Sequence, residues 1–177
     1  MNLKTDFLKK KYGKNLRLNE DLSKYNWFNL GGPARIFFRP ENKIQLVQFL
    51  KEVKKNDFKI HIIGAGSNTL IRDSGFSGIV IKLGSKFSDI KLIDKNKVEV
   101  GAAVFDRKVS DFAKKNSIGN FEFLSCIPGS IGGAIMMNSG CYGFDISQIL
   151  ESIKIVDHDG NEKEIQNNEI EFFYRGT

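Results

Sequence analysis

The spacing of apolar residues changes period several times along the chain. Leu3, Phe7 and Leu8 recur at helical spacing among lysines and predict a short amphipathic N-terminal helix. Glu41 to Lys55 repeats that pattern, with Ile44, Val47, Phe49 and Leu50 apolar and lysines elsewhere. Between them, Gly31-Gly32-Pro33 reads as a turn opening a strand over Ala34 to Arg39. Lys59 to Ile63 predicts a strand that runs into Gly64-Ala65-Gly66-Ser67-Asn68. Thr69 to Asp73 reads as extended, Ser74 to Gly78 as a turn, and Ile79 to Leu83 as a strongly apolar strand. SDIKLID and KVEVGAAV alternate about a turn at Asp94 to Lys97, which predicts a hairpin. Asp106 to Asn116 predicts a helix, and Glu122 to Ile127 leads into a second glycine-rich stretch. Ser152 to Val156 and Glu162 to Ile165 flank His158-Asp159-Gly160, a two-residue hairpin signal. Short strands and hairpins mixed with helices make an α+β chain, without the regular alternation of a doubly wound sheet.

Composition narrows the class. At 177 residues, 41% apolar and 27% charged, the chain suits one globular domain with a real core. No apolar run approaches a membrane span, and the N-terminus lacks the apolar stretch of a secretory signal, so the expectation is a cytoplasmic protein with no membrane partner. A net charge of +6 fits either nucleic acid or phosphorylated small molecules. The excess is scattered lysine with no interleaved aromatic stripe, which reads as a solvated surface and not a nucleic-acid interface. Cys126, Cys141, His61 and His158 have no metal-ligand spacing, so no metal site is expected and the cysteines read as two ordinary reduced thiols.

Two glycine segments carry the candidate chemistry. In Gly64-Ala65-Gly66-Ser67-Asn68, glycine lets backbone N–H groups converge on an anion, and Ser67 and Asn68 add side-chain donors. A pyrophosphate suits such a loop; a tight turn is the plainer reading. The loop lacks a third glycine at Thr69 and a following helix, so it is not the usual dinucleotide fingerprint, and no Gly-Lys-Ser/Thr follows to make a phosphate-binding loop of the nucleotidase kind. In IPGSIGGAIMMNSG, Pro128-Gly129 makes a turn and Ser130 can cap a helix. Free N–H groups at Ser130 to Gly133 would form an anion site. Gly132 and Gly133 leave the helix flank bare, either for a flat ring or for close helix packing. Two cradles in one chain suggest one long ligand with a central pyrophosphate, held between subdomains.

The segments FNLGGPARIFFRP, IIGAGSNTLIRDSGFSGIVIKL, FEFLSCIPGSIGGAIMMNSGCYG and FFYRGT, in this order, resemble the UDP-N-acetylenolpyruvoylglucosamine reductase family of peptidoglycan precursor synthesis. The resemblance covers almost all of the chain from Tyr25 onward. It implies a two-subdomain FAD-binding fold of the vanillyl-alcohol oxidase type over residues 25–177, after an N-terminal helical lead over 1–24. It also implies non-covalent FAD, NADPH as hydride donor and a nucleotide-sugar substrate; a monomer is expected. On this resemblance Gly64, Ala65, Gly66, Ser67 and Asn68 hold the flavin pyrophosphate. Ile127, Pro128, Gly129, Ser130, Gly132, Gly133 and Ala134 line the flavin, and Arg175 is the catalytic arginine facing the substrate carboxylate. A guanidinium suits that task because it meets a carboxylate in two contacts and keeps its charge.

The chain departs from the family at Asn29, where arginine is frequent, at Cys126, where a small residue is expected, and at Thr177, where serine is frequent. The family's proton-donating serine and second catalytic acid fall beyond Thr177, in a substrate domain expected to be missing here. The readings that follow are the FAD-binding part of such a reductase, a stand-alone flavin-binding module without a reaction of its own, or another flavin oxidase on the same fold.

Overall fold

The structure is a computed structural model that describes residues 3–54 and 58–177, in two units, Met1–Gly84 and Ser85–Thr177. In the first unit β1 (Leu16–Asp21) pairs antiparallel with β2 (Pro33–Phe38). Strands β2 and β3 (Ile60–Ile62) each run parallel to β4 (Phe76–Ile81), giving the order β1-β2-β4-β3. The two central strands are buried on both faces, which is why IFF and IVI read as continuous apolar runs rather than alternating ones. On one face, Phe38 stacks on Phe49 at 3.8 Å, and Tyr12 meets both rings edge-on at 5.2 and 5.3 Å. These contacts dock α1 (Leu3–Tyr12) and α2 (Lys43–Val53) on the sheet. Helix α2 buries Leu46, Phe49, Leu50 and Val53, a helical stripe, and Asn42 caps it by accepting the Gln45 N–H at 2.9 Å. A second cluster joins Leu22, Ala34, Phe37, Ile63 and Val80, with Tyr25 stacked on Phe37 at 4.5 Å.

Several expected boundaries move. Within the expected lead the described α-helix is Leu3–Tyr12, followed by a 3₁₀ turn; strand β1 comes next, and its partly polar sequence LRLNED hid it. In α1 Leu8 and Tyr12 are the buried apolar side chains among the described residues and Thr5 is buried with them, while Phe7 is exposed. Helix α2 starts two residues later than expected; Lys55, its expected end, lies outside the described residues. Thr69 to Arg72 is irregular and not extended strand, and β4 begins at Phe76, inside the expected turn.

The second unit is built from hairpins and two helices. Strands β5 (Ile90–Asp94) and β6 (Lys97–Val100) form the first hairpin as expected. Strands β7 (Gly140–Cys141) and β8 (Phe144–Asp145) form a short one. In the pair β9 (Ser152–Val156) and β10 (Glu162–Gln166), the loop spans Asp157 to Asn161 and is longer than the Asp-Gly signal predicts. The Asp157 carboxylate accepts the N–H groups of Asp159 and Asn161, both at 2.9 Å, and so organises the longer loop; those backbone donors pull its pKa down to about 2. The core joins Val104, Val109, Phe123, Leu124, Ile131, Ala134 and Ile146, drawing α3 (Asp106–Lys115) and α4 (Ile131–Met136) together with the 3₁₀ turn Glu122–Cys126. Among the described residues no helix is long and apolar enough to cross a membrane.

Candidate functional site

In the first unit, Gly64 to Asn68 follow the carboxyl end of β3. In a sheet with parallel strands, ligands collect at that edge because the loops leaving it converge there. Arg39 follows the same end of β2, and Lys82 follows that of β4. The Lys82 ammonium donates a hydrogen bond to the Gly64 carbonyl oxygen. Its pKa is pushed down, first by desolvation and then by the nearby Arg39 guanidinium. Lys82 thus brings positive charge to the loop, with the Arg39 guanidinium close enough to Lys82 to be felt there.

Gly66 has a protein-based reason to be glycine. Its φ is +78°, and a Cβ there would lie 2.1 Å from the Tyr25 carbonyl oxygen. The Trp27 N–H donates to the Gly66 carbonyl at 3.1 Å, which ties the segment Trp27 to Leu30 to the glycine loop. Buried Asn26 fixes that segment, its side-chain amide donating to the carbonyls of Leu22 and Leu30 at 2.9 and 2.8 Å. Trp27, Phe28 and Leu30 are nevertheless exposed, as is Leu70 beyond the loop. The glycine loop is therefore bordered by apolar surface as well as charge. Asn29 sits at φ +53°, a conformation that asparagine tolerates better than arginine.

In the second unit, Ile127 to Gly129 are the irregular lead into α4 and Ser130 is its N-cap. The expected set of free N–H groups is reduced. Ile131 donates to the Val104 carbonyl and Gly132 to the Ala102 carbonyl, both at 2.9 Å, because the segment pairs with the backbone after β6. Ser130 is buried and makes no side-chain cap bond. The glycines also divide. A Cβ on Gly132 would meet both Cβ and O of Ala102 at 3.1 Å, and one on Gly129 would meet Asp106 Oδ2 at 2.5 Å. Packing within the protein accounts for those two. A Cβ on Gly133 would meet Ser130 Oγ alone, at an ordinary 3.7 Å, so the bare flank is at Gly133.

Asp106, which the sequence reading did not single out, lies beneath this turn. It is fully buried, and neither carboxylate oxygen has a hydrogen-bond partner among the described residues. Burial raises its pKa to about 7. Arg175 stands in the second unit at the tip of a tight turn closed by the mutual hydrogen bonds of Phe173 and Gly176. Its φ of +63° is strained for a non-glycine residue, and its exposed guanidinium lies 5.5 Å from the Tyr174 ring centroid, with Nε donating weakly to the Tyr174 hydroxyl at 3.4 Å. Lys82 had one signal in the sequence, a lysine placed directly after the apolar run IVI. Asp106 had none beyond its place at the start of a helix.

Residues 34–166 match the family described as FAD binding domain, and the chain belongs to that family. Within it, the chain is similar to the UDP-N-acetylenolpyruvoylglucosamine reductase of Pelagibacter ubique, 47% identical over 162 residues, which covers 92% of this chain and 53% of that protein. It is 42% identical to the reductase of the same name from Rickettsia bellii, over 91% of this chain and 53% of that protein. The chain thus spans about half the length of the curated relatives it matches. The crystal structure of UDP-N-acetylenolpyruvylglucosamine reductase from Thermus caldophilus superposes with a TM-score of 0.73 at 28% identity, covering 91% of this chain and 55% of that one. The 4-ethylphenol oxidase of Gulosibacter chungangensis shares the fold alone, with a TM-score of 0.69 at 16% identity over 91% of this chain and 34% of that one. The two-part FAD-binding fold expected from the sequence is therefore the fold of this chain.

Proposed function

We propose that this chain is the FAD-binding part of a UDP-N-acetylenolpyruvoylglucosamine reductase. The observation that carries the reading is the loop Gly64 to Asn68 at the carboxyl end of parallel strands, with Lys82 bonded to it and Arg39 alongside. Those residues fit the pyrophosphate of FAD: the loop supplies backbone and Ser67 and Asn68 donors, and the cations balance its charge. In the other unit, Ile127 to Ala134 line the flavin, and Gly133 is where the backbone is open to a flat ring. FAD, when bound, supplies hydride acceptance from NADPH and hydride donation to the enolpyruvyl double bond of the nucleotide sugar.

The chain's own contribution to that reaction is charge at the substrate carboxylate. Negative charge builds there as the double bond is reduced. Arg175, held out on its turn with Tyr174 beside it, meets it with a fixed cation whose pKa the Tyr174 hydroxyl raises further. The exposed tip lets the guanidinium reach a substrate without first breaking a salt bridge.

The test is a visible absorption spectrum of the purified protein before and after adding FAD. Flavin bands that leave with the supernatant after denaturation are the expected result. A folded, colourless protein that takes up no FAD would overturn the proposal. Substrate-dependent oxidation of NADPH by the full-length protein, slower with NADH, tests the donor separately.

A further inference from the structure

The two cysteines lie fifteen positions apart in the sequence but meet in the fold. Cys126 ends the 3₁₀ turn Glu122–Cys126, and Cys141 ends β7, which packs against that turn. Both side chains line one apolar cavity of about 350 Å³, together with Glu122, Phe123, Tyr142 and Phe144. We propose that Cys126 and Cys141 are a reversible dithiol, oxidised by peroxide to an intramolecular disulfide that closes a covalent ring around the glycine segment Ile127 to Gly140.

The order of events follows from exposure. Cys126 is exposed and Cys141 half-buried, so Cys126 meets a peroxide first. Its thiolate attacks one peroxide oxygen; an S–O bond forms, the O–O bond breaks, and hydroxide leaves to be protonated to water. The product is a sulfenic acid. The Cys141 sulfur, having lost its proton, then attacks the sulfenic sulfur; the S–S bond forms, the S–O bond breaks, and a second water departs. Two thiols lose two electrons, and hydrogen peroxide takes them up. Burial, and secondarily Cys126 itself, pushes the Cys141 thiol pKa up, which suits the residue that reacts second. A small dithiol carrier would reverse the step by thiol–disulfide exchange, which the exposure of Cys126 permits. Transient pairs of this kind are the form disulfides take in reducing compartments.

The pair is easy to read out. No lysine or arginine lies between Lys115 and Lys154, so trypsin leaves both cysteines on one peptide, residues 116–154. The full-length, FAD-loaded protein is treated with equimolar hydrogen peroxide, blocked with N-ethylmaleimide and digested. The expected result is a peptide that carries no blocking group, is lighter than the dithiol form by two hydrogens, and accepts two blocking groups after reduction. In Cys141→Ser, dimedone should trap a sulfenic acid at Cys126. In Cys126→Ser, the Cys141 thiol should be lost at least about tenfold more slowly. Oxygen additions on each cysteine independently, or cross-links only between chains, would overturn the proposal. The flavin absorbance is recorded alongside, so loss of FAD binding is seen separately from thiol chemistry.

Discussion

The ammonium group of Lys82 is hydrogen-bonded to the carbonyl oxygen of Gly64, joining the carboxyl end of β4 to the glycine loop after β3. A lysine half-buried there, with its pKa lowered by desolvation and by Arg39, is a charge that a bound phosphate would stabilise. Replacing it by methionine keeps the length of the side chain and removes the charge. Lys82→Met should weaken FAD binding about tenfold, roughly 1.4 kcal/mol, and flatten its salt dependence. A fluorescence titration of the apo-protein with FAD at low and high salt measures both. Wild-type affinity should also begin to fall at a pH below the ordinary lysine range, since the folded pKa is depressed and the neutral amine cannot pair with phosphate. An unchanged affinity in the variant removes Lys82 from the cradle.

Arg175 lies in a different kind of place, on an exposed turn whose main polar contact is its neighbour Tyr174. Its loss should leave the flavin spectrum and the stability of the protein near wild type. Arg175→Lys keeps a charge but loses the planar fork, and in the full-length reductase it should lower kcat by about a hundredfold or more, with a smaller change in KM. Stopped-flow traces of flavin reduction by NADPH should be unaffected if the arginine has the role proposed for it, at the second substrate. A variant slowed in flavin reduction as well would place Arg175 elsewhere in the cycle.

How much of this was legible in the sequence depended on which interactions are local. The helix at Lys43–Val53 was readable because the period of its apolar positions is set by the one face it buries, and the hairpin around Asp94 to Lys97 because strand alternation and a turn signal are both local to the sequence. The GAGSN loop and the motif order identified the fold. Strand β1 was missed because LRLNED sits at a sheet edge, where only Leu16 is buried and the other side chains are partly or fully exposed. The reason for Gly132 was also invisible, because its neighbour Ala102 is thirty positions earlier and comes close only through pairing of the two backbones. Lys82 and Asp106 acquire their meaning in the same way, from residues brought up by the fold.

Asp106 gives the protein a pH-dependent stability. It opens α3, where the partial positive charge of the helix end favours a carboxylate, yet burial with no hydrogen-bond partner among the described residues outweighs this and raises the pKa to about 7. The folded pKa lies above the unfolded one, so the native state binds more protons between about pH 4 and pH 7. This group's contribution is therefore fully favourable below about pH 4 and is lost as the pH rises through about 7. Asp106→Asn removes the charge and keeps the shape. Urea unfolding of the apo-protein should show it more stable than wild type at pH 8, by at most about 4 kcal/mol, with the advantage shrinking by pH 5. A difference independent of pH would mean that Asp106 is paired in solution.

Gly132 and Gly133 are adjacent, and the structure assigns them different reasons for lacking a side chain. At Gly132 a methyl group would press on Cβ and the carbonyl oxygen of Ala102, both at 3.1 Å, so neighbouring backbone has to give way. Gly132→Ala should lower stability by about 1–2 kcal/mol whether or not FAD is present. At Gly133 the methyl group has room, with Ser130 Oγ at 3.7 Å as its neighbour, and alanine is the better helix former by about 1 kcal/mol. Gly133→Ala should therefore leave the apo-protein as stable as wild type or more so, and yet weaken FAD binding by tenfold or more if a flavin lies against that flank. Thermal melts with and without FAD separate the two effects: the apo Tm falls only in Gly132→Ala, and the FAD-induced rise shrinks only in Gly133→Ala. Should Gly133→Ala bind FAD as tightly as wild type, α4 is bare there for some reason other than the cofactor, and the flavin contacts proposed for Ile127 to Ala134 would have to be redrawn.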